Sequence, residues 1–316
     1  MKALVTGGAG FIGSNVVKLL LEKGWDVRIL DNLSSGYKCN LDGLNVEFVE
    51  GDVCNPETAM NACKNRDVVF HLAASVGRQR SIDNPQLDSS INLIGTINIL
   101  EGMRKNNVPK IVYSSSAALF GELVTPTIDE NHPQNADSPY GVSKLAAEKM
   151  ILAYAGIYDI TGVCLRYFNI YGVNQRFDLY GNVIPIFAKR IYSGEPITIY
   201  GDGEQTRDFL NVKDVARANY LGATTDKGTD VYNMGSGSSI TINKLAEIMK
   251  RISSMSNEIK YALERPADVK HCKADASKAK RILGFEASVG LEEGLKEYMT
   301  WFEKDNSANL HFSNGN

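Results

Sequence analysis

The chain has 316 residues, 43% hydrophobic and 22% charged, enough for one large α/β domain or a domain with a smaller companion. A formal net charge of −3 offers no basic excess for a polyanion, so nucleic acid is not an expected partner. Five scattered cysteines (39, 54, 63, 164 and 272) form no CxxC pair and no run reaches 18 apolar residues, which argues against a disulfide framework, a metal site and a membrane span. No signal peptide is visible ahead of the first strand-like run, and a cytoplasmic protein is expected.

In chain order, the strand-like runs are KALVT (2–6), DVRIL (26–30), VEFV (46–49), DVVFHL (67–72), KIVYSS (110–115) and ITGVCLRYF (160–168). Between them, helical periodicity covers 11–24, 57–64, about 84–106 and 140–156. Near-continuous apolar strands separated by helices predict an α/β fold, a doubly wound parallel sheet of the Rossmann type covered on both faces. After about residue 170 the rhythm breaks, and helical segments near 183–193, 241–253 and 290–304 alternate with short strands and a turn-rich loop at 200–212. The expected division is a dinucleotide-binding domain over 1–170, also receiving elements from about 205–235, and a smaller, discontinuous mixed α/β cap over 171–316.

Gly7, Gly10 and Gly13 stand between the first strand and the first helix, spaced G-x-x-G-x-x-G. A tight turn, close approach of backbone to a pyrophosphate and close helix–strand contact all demand glycine there. Asp31 ends the second strand, where a carboxylate accepts from ribose hydroxyls and repels a 2′-phosphate, so NAD is the expected cofactor. Asp52 follows the third strand, in reach of an adenine amine or, equally, at a helix entry as a cap. Small residues at 71–75 (HLAAS) suit a backbone that must approach a cofactor.

The stretch SPYGVSK (138–144) puts Tyr140 and Lys144 four residues apart, on one face if it opens a helix. Alone, such a pair is an ordinary solvated neighbour; a fixed cation beside the phenol would favour the phenolate. The fifth strand ends in YSSSAALFG (113–121), which aims hydroxyls at the same crevice. With TGGAGFIG, DNLSSG, GDV, HLAA, LRYFNIYG, YGDGEQTRDFLNV and RPADVKHCKAD, the chain resembles the extended short-chain dehydrogenase/reductase family from Lys2 to about Trp301. The resemblance is to its nucleotide-sugar epimerases and dehydratases, typified by UDP-galactose 4-epimerase.

The resemblance implies that Tyr140 is the general base, that Lys144 binds nicotinamide ribose and lowers the phenol, and that Ser116 bonds the reacting sugar hydroxyl. It implies cofactor contacts from Gly7, Gly10, Phe11, Ile12, Gly13, Asp31, Asn32, Ser35, Gly36, Asp52 and Val53. Leu72, Ala73, Ala74, Ser114 and Tyr167 complete that set with Tyr140 and Lys144. Asn169, Arg207, Arg265 and Asp268, with Ser116 and Tyr140, are the implied contacts to a UDP-sugar, and Asn92 is read as a structural amide near the catalytic loop. Ala117 and Ala118 stand where dehydratase relatives carry an acidic pair, which disfavours elimination of water. Cys272 occupies a position where a bulky Tyr is associated with exclusion of N-acetyl sugars, so a 2-acetamido group has room. Arg78, Arg80 and Arg176 are either structural or partners for a uronate carboxylate. The activity implied is NAD-dependent 4-epimerisation of a UDP-hexose, with UDP-glucuronate 4-epimerisation, another nucleotide-sugar reaction of the family or a non-catalytic NAD-binding regulator as the alternatives, in a homodimer joined through the helices near 84–106 and 140–156.

Overall fold

The computed structural model describes residues 1–121, 123–178, 181–264 and 270–309, with side chains to 305. The chain begins with β1 (Lys2–Thr6), α1 (Phe11–Glu22), β2 (Asp26–Asp31), β3 (Glu47–Glu50), α2 (Pro56–Ala62) and β4 (Val68–His71). Two short helices, α3 (Arg78–Asp83) and α4 (Pro85–Ser89), lead through a π-helical turn (Ser90–Ile94) into α5 (Gly95–Lys105). Next come β5 (Lys110–Ser116), a 3-10 turn (Ala117–Phe120), β6 (Thr127–Ile128), α6 (Pro139–Ile157) and β7 (Thr161–Tyr167). The later chain carries β8 (Asn169–Tyr171), α7 (Val183–Tyr192), β9 (Ile197–Tyr200), β10 (Thr206–Arg207), β11 (Phe209–Asn211), α8 (Val212–Thr224) and β12 (Asp230–Met234). It closes with β13 (Ile240–Thr241), α9 (Ile242–Ser253), β14 (Ile259–Ala262), β15 (Lys273–Ala274), α10 (Ser277–Leu283) and α11 (Leu291–Asn309).

Seven strands form one sheet in the order β12-β7-β5-β4-β1-β2-β3, and every neighbouring pair is parallel. This is the doubly wound Rossmann architecture, and strand order reverses between β1 and β4, where such sheets hold ligands at their carboxyl edge. One face buries Val5, Val17, Phe70, Leu165 and Tyr232 under α1 and α8; the other buries Leu4, Val69, Ile99, Ile111 and Ile151 under α2, α5 and α6. A separate core in the later chain joins Phe187, Leu245, Met249, Tyr298 and Phe302 from α7, α9 and α11. Among the described residues, no helix is long and apolar enough to cross a membrane.

The structure departs from the sequence reading in two places. The helix expected over about 84–106 is interrupted by the π-helical turn, and α3 precedes it unannounced. The stretch 200–212, read as a loop, contains β10 and β11, which are too short to show alternation and pair with β13 and β8. A seventh strand, β12, comes from the stretch 205–235 and adds to the sheet beside β7.

Candidate active site

After β1 the chain reverses at Gly7, whose φ of +69° suits glycine, and a Cβ there would lie 2.8 Å from the Ala73 amide nitrogen. A Cβ at Gly13 would stand 2.0 Å from the Gly7 carbonyl oxygen, so α1 closes onto the turn only with hydrogen at that position. Gly10 does something else. It is the N-cap of α1 and offers no side-chain cap, and the first turn, with Phe11 and Ile12, carries no acidic residue. Unclaimed amides at a positive helix end fit an anionic diphosphate.

Asp31 is buried; one carboxylate oxygen accepts the Ala9 amide at 2.9 Å and the other the Leu33 amide at 2.8 Å. A carboxylate oxygen has capacity for a second donor, so ribose hydroxyls fit the same pair. Gly36 packs close enough that a Cβ would lie 3.0 Å from Asp31 Oδ1, and Ser35 beside it is exposed. Asn32 Nδ2 donates to Asp52 Oδ2 at 2.9 Å, and the Cys54 amide donates to Asp52 Oδ1 at 2.8 Å. Burial works to raise the Asp52 carboxyl, yet the bonds from Cys54 and Asn32 bring it below its ordinary value. Asn55, not Asp52, caps α2, so the capping alternative for Asp52 is not realised.

Val53 is buried against Gly95. Leu72, Ala73 and Ala74 follow β4, partly buried, with the Ala73 amide on Thr6 Oγ1 at 3.2 Å. Ser114 Oγ donates to the Tyr167 hydroxyl at 3.2 Å, and that hydroxyl also accepts from Asn219 at 2.7 Å. These two candidates lie inside the sheet, bonded to each other, and burial pushes the Tyr167 phenol up to about 12.

Ser138 caps α6 by accepting the Gly141 amide at 3.2 Å, with Pro139 in the first turn, so SPYG is a helix start. A Cβ on Gly141 would lie 2.4 Å from the Ala118 carbonyl oxygen. That close approach seats α6 on the turn after β5 and brings Tyr140 to where the Ser116 hydroxyl acts on its phenol, while Ser116 Oγ accepts the Ala118 amide at 3.2 Å. One helical turn on, Lys144 is buried with Nζ 4.6 Å from the centre of the Tyr113 ring.

Burial pulls Lys144 down to about 8, while the negative charge of Asp88 works to raise it. Burial pushes the Tyr140 phenol up to about 12; the Ser116 bond opposes this and Asp88 adds to it. The expectation that Lys144 lowers the phenol is therefore corrected: burial raises it, and the opposing effect comes from Ser116 and not from Lys144.

From the later chain, Asn169 Nδ2 donates to the Asp208 carbonyl at 3.1 Å, and Arg207 Nη1 to the Thr206 carbonyl at 2.9 Å. Cys272 packs with Ala117, Leu123 and Leu145 against Leu119, Phe120 and Phe168, next to the Ser116 turn. Burial pushes its thiol up to about 11, against the pull of the Arg207 charge. Arg265 and Asp268 lie outside the described residues. Arg78 pairs with Asp137 at 2.7 Å, Arg80 with Asp178 at 2.5 Å, and Arg176 with both oxygens of Asp305 at 2.7 and 2.9 Å. All three guanidiniums are engaged by carboxylates of the chain, as their structural reading requires.

Asn92 joins the loop after β4: Oδ1 accepts the Ser75 amide at 2.8 Å and Nδ2 reaches the Ser75 carbonyl at 3.1 Å. Sequence reasoning missed what stands behind the Tyr–Lys pair. Glu148, one turn beyond Lys144, forms a buried two-pronged pair with Arg166 at 2.7 and 3.1 Å and accepts Ser115 Oγ at 2.7 Å. Asp88, 1% exposed, accepts Ser143 Oγ and Asn92 Nδ2. The spacing Asp88–Asn92 and Lys144–Glu148, four residues each on helices, was the available signal.

The family model described as GDP-mannose 4,6 dehydratase matches residues 4–298. A protein named as a putative UDP-glucose 4-epimerase in Methanocaldococcus jannaschii is 40% identical over 305 residues, 96% of this chain and 99% of that one. The UDP-N-acetylglucosamine 4-epimerase of Methanobrevibacter ruminantium, solved with UDP-N-acetylmuramic acid, has a TM-score of 0.92 at 36% identity, over 96% of this chain and 98% of that one. The UDP-glucose 4-epimerase of Thermus thermophilus, solved with NAD, has a TM-score of 0.88 at 34% identity, over 96% and 99%. The glycine turn and the Asp31 carboxylate fit NAD, which is the cofactor. With nearly its whole length inside these matches, the chain belongs to the extended short-chain dehydrogenase/reductase family, among its NAD-dependent nucleotide-sugar epimerases and their relatives.

Proposed function

We propose that the protein is an NAD-dependent UDP-hexose 4-epimerase, acting on UDP-glucose and UDP-galactose and on their N-acetyl forms. The observation that carries the reading is Tyr140 placed where the Ser116 hydroxyl acts on its phenol, with Lys144 one turn behind, and alanines at 117 and 118. A base and a hydroxyl that orients the sugar are what 4-epimerisation needs, whereas eliminating water needs a further acid and base. NAD, when bound, takes up the hydride from the sugar carbon and returns it, and its positive ring favours the phenolate of Tyr140.

Tyr140 accepts the proton of the 4-hydroxyl and gives it back after the 4-keto sugar has turned over. Ser116 holds that oxygen, and Lys144, as an ammonium, anchors the ribose hydroxyls. The amides of Phe11, Ile12 and Gly13 would hold the pyrophosphate, close to Gly7 and Gly10, whose own turn is closed by the Gly10 amide on the Gly7 carbonyl. Asp31, Asn32, Ser35 and Gly36 would hold the adenosine ribose. Asp52 and Val53 would flank the adenine, and Leu72, Ala73 and Ala74 would complete the cofactor wall, with Ser114 and Tyr167 bonded to each other behind it. Arg207, Arg265, Asp268 and Asn169 hold the UDP-sugar, since guanidinium forks match phosphate oxygens. A small Cys272, packed against the same apolar cluster as Ala117, supports access for a 2-acetamido group.

The division into a dinucleotide-binding domain (1–170 with about 205–235) and a cap belongs to the same reading, as does a cytoplasmic location. So does a homodimer: Leu87, Ile94, Val142 and Ile157 expose apolar side chains on the stretches 85–105 and 139–157. The test is conversion of UDP-galactose, UDP-N-acetylgalactosamine and UDP-galacturonate to their gluco epimers. Turnover of the first two supports the reading; turnover of the uronate alone, or of none, overturns it.

A further inference from the structure

Behind Tyr140 and Lys144 runs a buried polar chain that the proton transfer above does not use. Thr6 Oγ1 meets His71 Nδ1 at 2.7 Å, His71 Nε2 meets Thr96 Oγ1 at 2.9 Å, and Thr96 donates to the Asn92 carbonyl at 2.6 Å. The π-helical turn carries Asn92, whose Nδ2 lies 3.1 Å from Asp88 Oδ1 and 3.0 Å from Ser143 Oγ. Ser143 Oγ donates to Asp88 Oδ2 at 2.5 Å, and Ser143 directly precedes Lys144. A carboxylate this deep is costly unless a cation lies near it. The cation whose charge acts on Asp88 is Lys144, while Arg78 and Arg80 on neighbouring α3 are turned to Asp137 and Asp178.

We propose that Asp88 is a positioning residue for the Tyr140–Lys144 pair: its buried carboxylate fixes Ser143 and Asn92 under the start of α6 and keeps Lys144 an ammonium beside the phenol. Its importance for turnover rests on the epimerase reading; the charge coupling does not.

The groups around Lys144 single out Asp88. From β4, His71 is pulled down to about 3 and is neutral. Tyr113 on β5 and Cys164 on β7 are raised by burial and are also neutral. On α6 itself, Tyr140 is raised to about 12 and Glu148 is paired with Arg166. A negative charge favours the protonated form of each neighbour, so removing it lowers the midpoints of both Lys144 and Tyr140. Both limbs of a pH–rate profile then move toward acid, whereas a purely structural role for Asp88 would reduce its height without moving it.

The direct test is a carbon NMR titration of the full chain with lysines labelled at Cε, the Lys144 signal being identified by its loss in Lys144→Arg. Asp88→Asn is expected to lower the Lys144 midpoint by about half a pH unit or more, and Asp88→Glu to keep it. An unchanged midpoint in Asp88→Asn, or an equal drop in Asp88→Glu, overturns the proposal. Should Asp88→Asn fail to fold, Asp88→Ser gives the same reading with a smaller neutral side chain. Absence of turnover on every sugar counts against the epimerase reading alone, because the titration needs no substrate.

Discussion

The proposed cofactor wall and the proposed sugar wall are built from different materials. The first is made by consecutive strand ends of one sheet and depends on backbone: Gly7 and Gly13 close the turn, and the Ala9 and Leu33 amides hold Asp31. The second gathers Ser116, Tyr140, Asn169, Arg207 and Cys272 from β5, α6, β8, β10 and the segment before β15, and depends on side chains. A backbone wall tolerates few additions of volume and leaves little to vary, whereas a side-chain wall can be retuned one residue at a time.

That contrast is tested hardest at Tyr140. Tyr140→Phe removes the proton acceptor and leaves the cofactor wall intact, so turnover is expected to fall about 10²–10⁴-fold with NAD content unchanged. Epimerisation assays together with the NAD released on denaturation measure both. Full activity in this variant would falsify the mechanism, and loss of NAD would show that the walls are not separable.

Next in size is the support beneath the sugar wall. Glu148→Gln leaves Arg166 buried without its carboxylate and loosens Ser115, the neighbour of Ser116. Breaking one partner of such a pair is expected to cost about 3–5 kcal/mol, read from urea unfolding. A cost below about 1 kcal/mol would mean that water reaches the pair and that the wall does not depend on it.

On the backbone side, Gly13→Ala drives a methyl group against the Gly7 carbonyl, which is held by the turn and cannot give way. About 1–3 kcal/mol of stability and most of the bound NAD are expected to go together, measured by thermal unfolding with and without NAD. NAD binding at wild-type affinity in Gly13→Ala would overturn the view of this wall as sterically closed.

The same contrast explains what could be read in advance. The backbone wall was legible because strand, glycine turn and helix are local patterns, and the sequence places Gly7, Gly13 and Asp31 within one strand–helix–strand unit. The start of α6 was legible for the same reason, since Ser138 and Pro139 mark a cap. Partners distant in sequence were not legible. Asp88 meets Ser143 across 55 residues, and Ser115 meets Glu148 across 33, through helix packing that no local period encodes. The direction of the Tyr140 shift is not legible either, because burial is a tertiary property that the spacing of Tyr140 and Lys144 does not encode.

The smallest expected effect concerns specificity, where a side-chain wall should be most adjustable. Cys272 sits in an apolar cluster with Ala117 and Leu123, beside the turn that carries Ser116. In Cys272→Tyr, an aromatic ring fills space that a 2-acetamido group would otherwise occupy, while a 2-hydroxyl still fits. Discrimination by pocket size is modest, about 1–3 kcal/mol per group excluded. The expected outcome is a fall of about tenfold or more in kcat/KM for UDP-N-acetylgalactosamine, with UDP-galactose changed far less. Equal losses on both sugars would mean that Cys272 supports the cluster rather than bounding the sugar, and the N-acetyl part of the proposed function would lose its structural support.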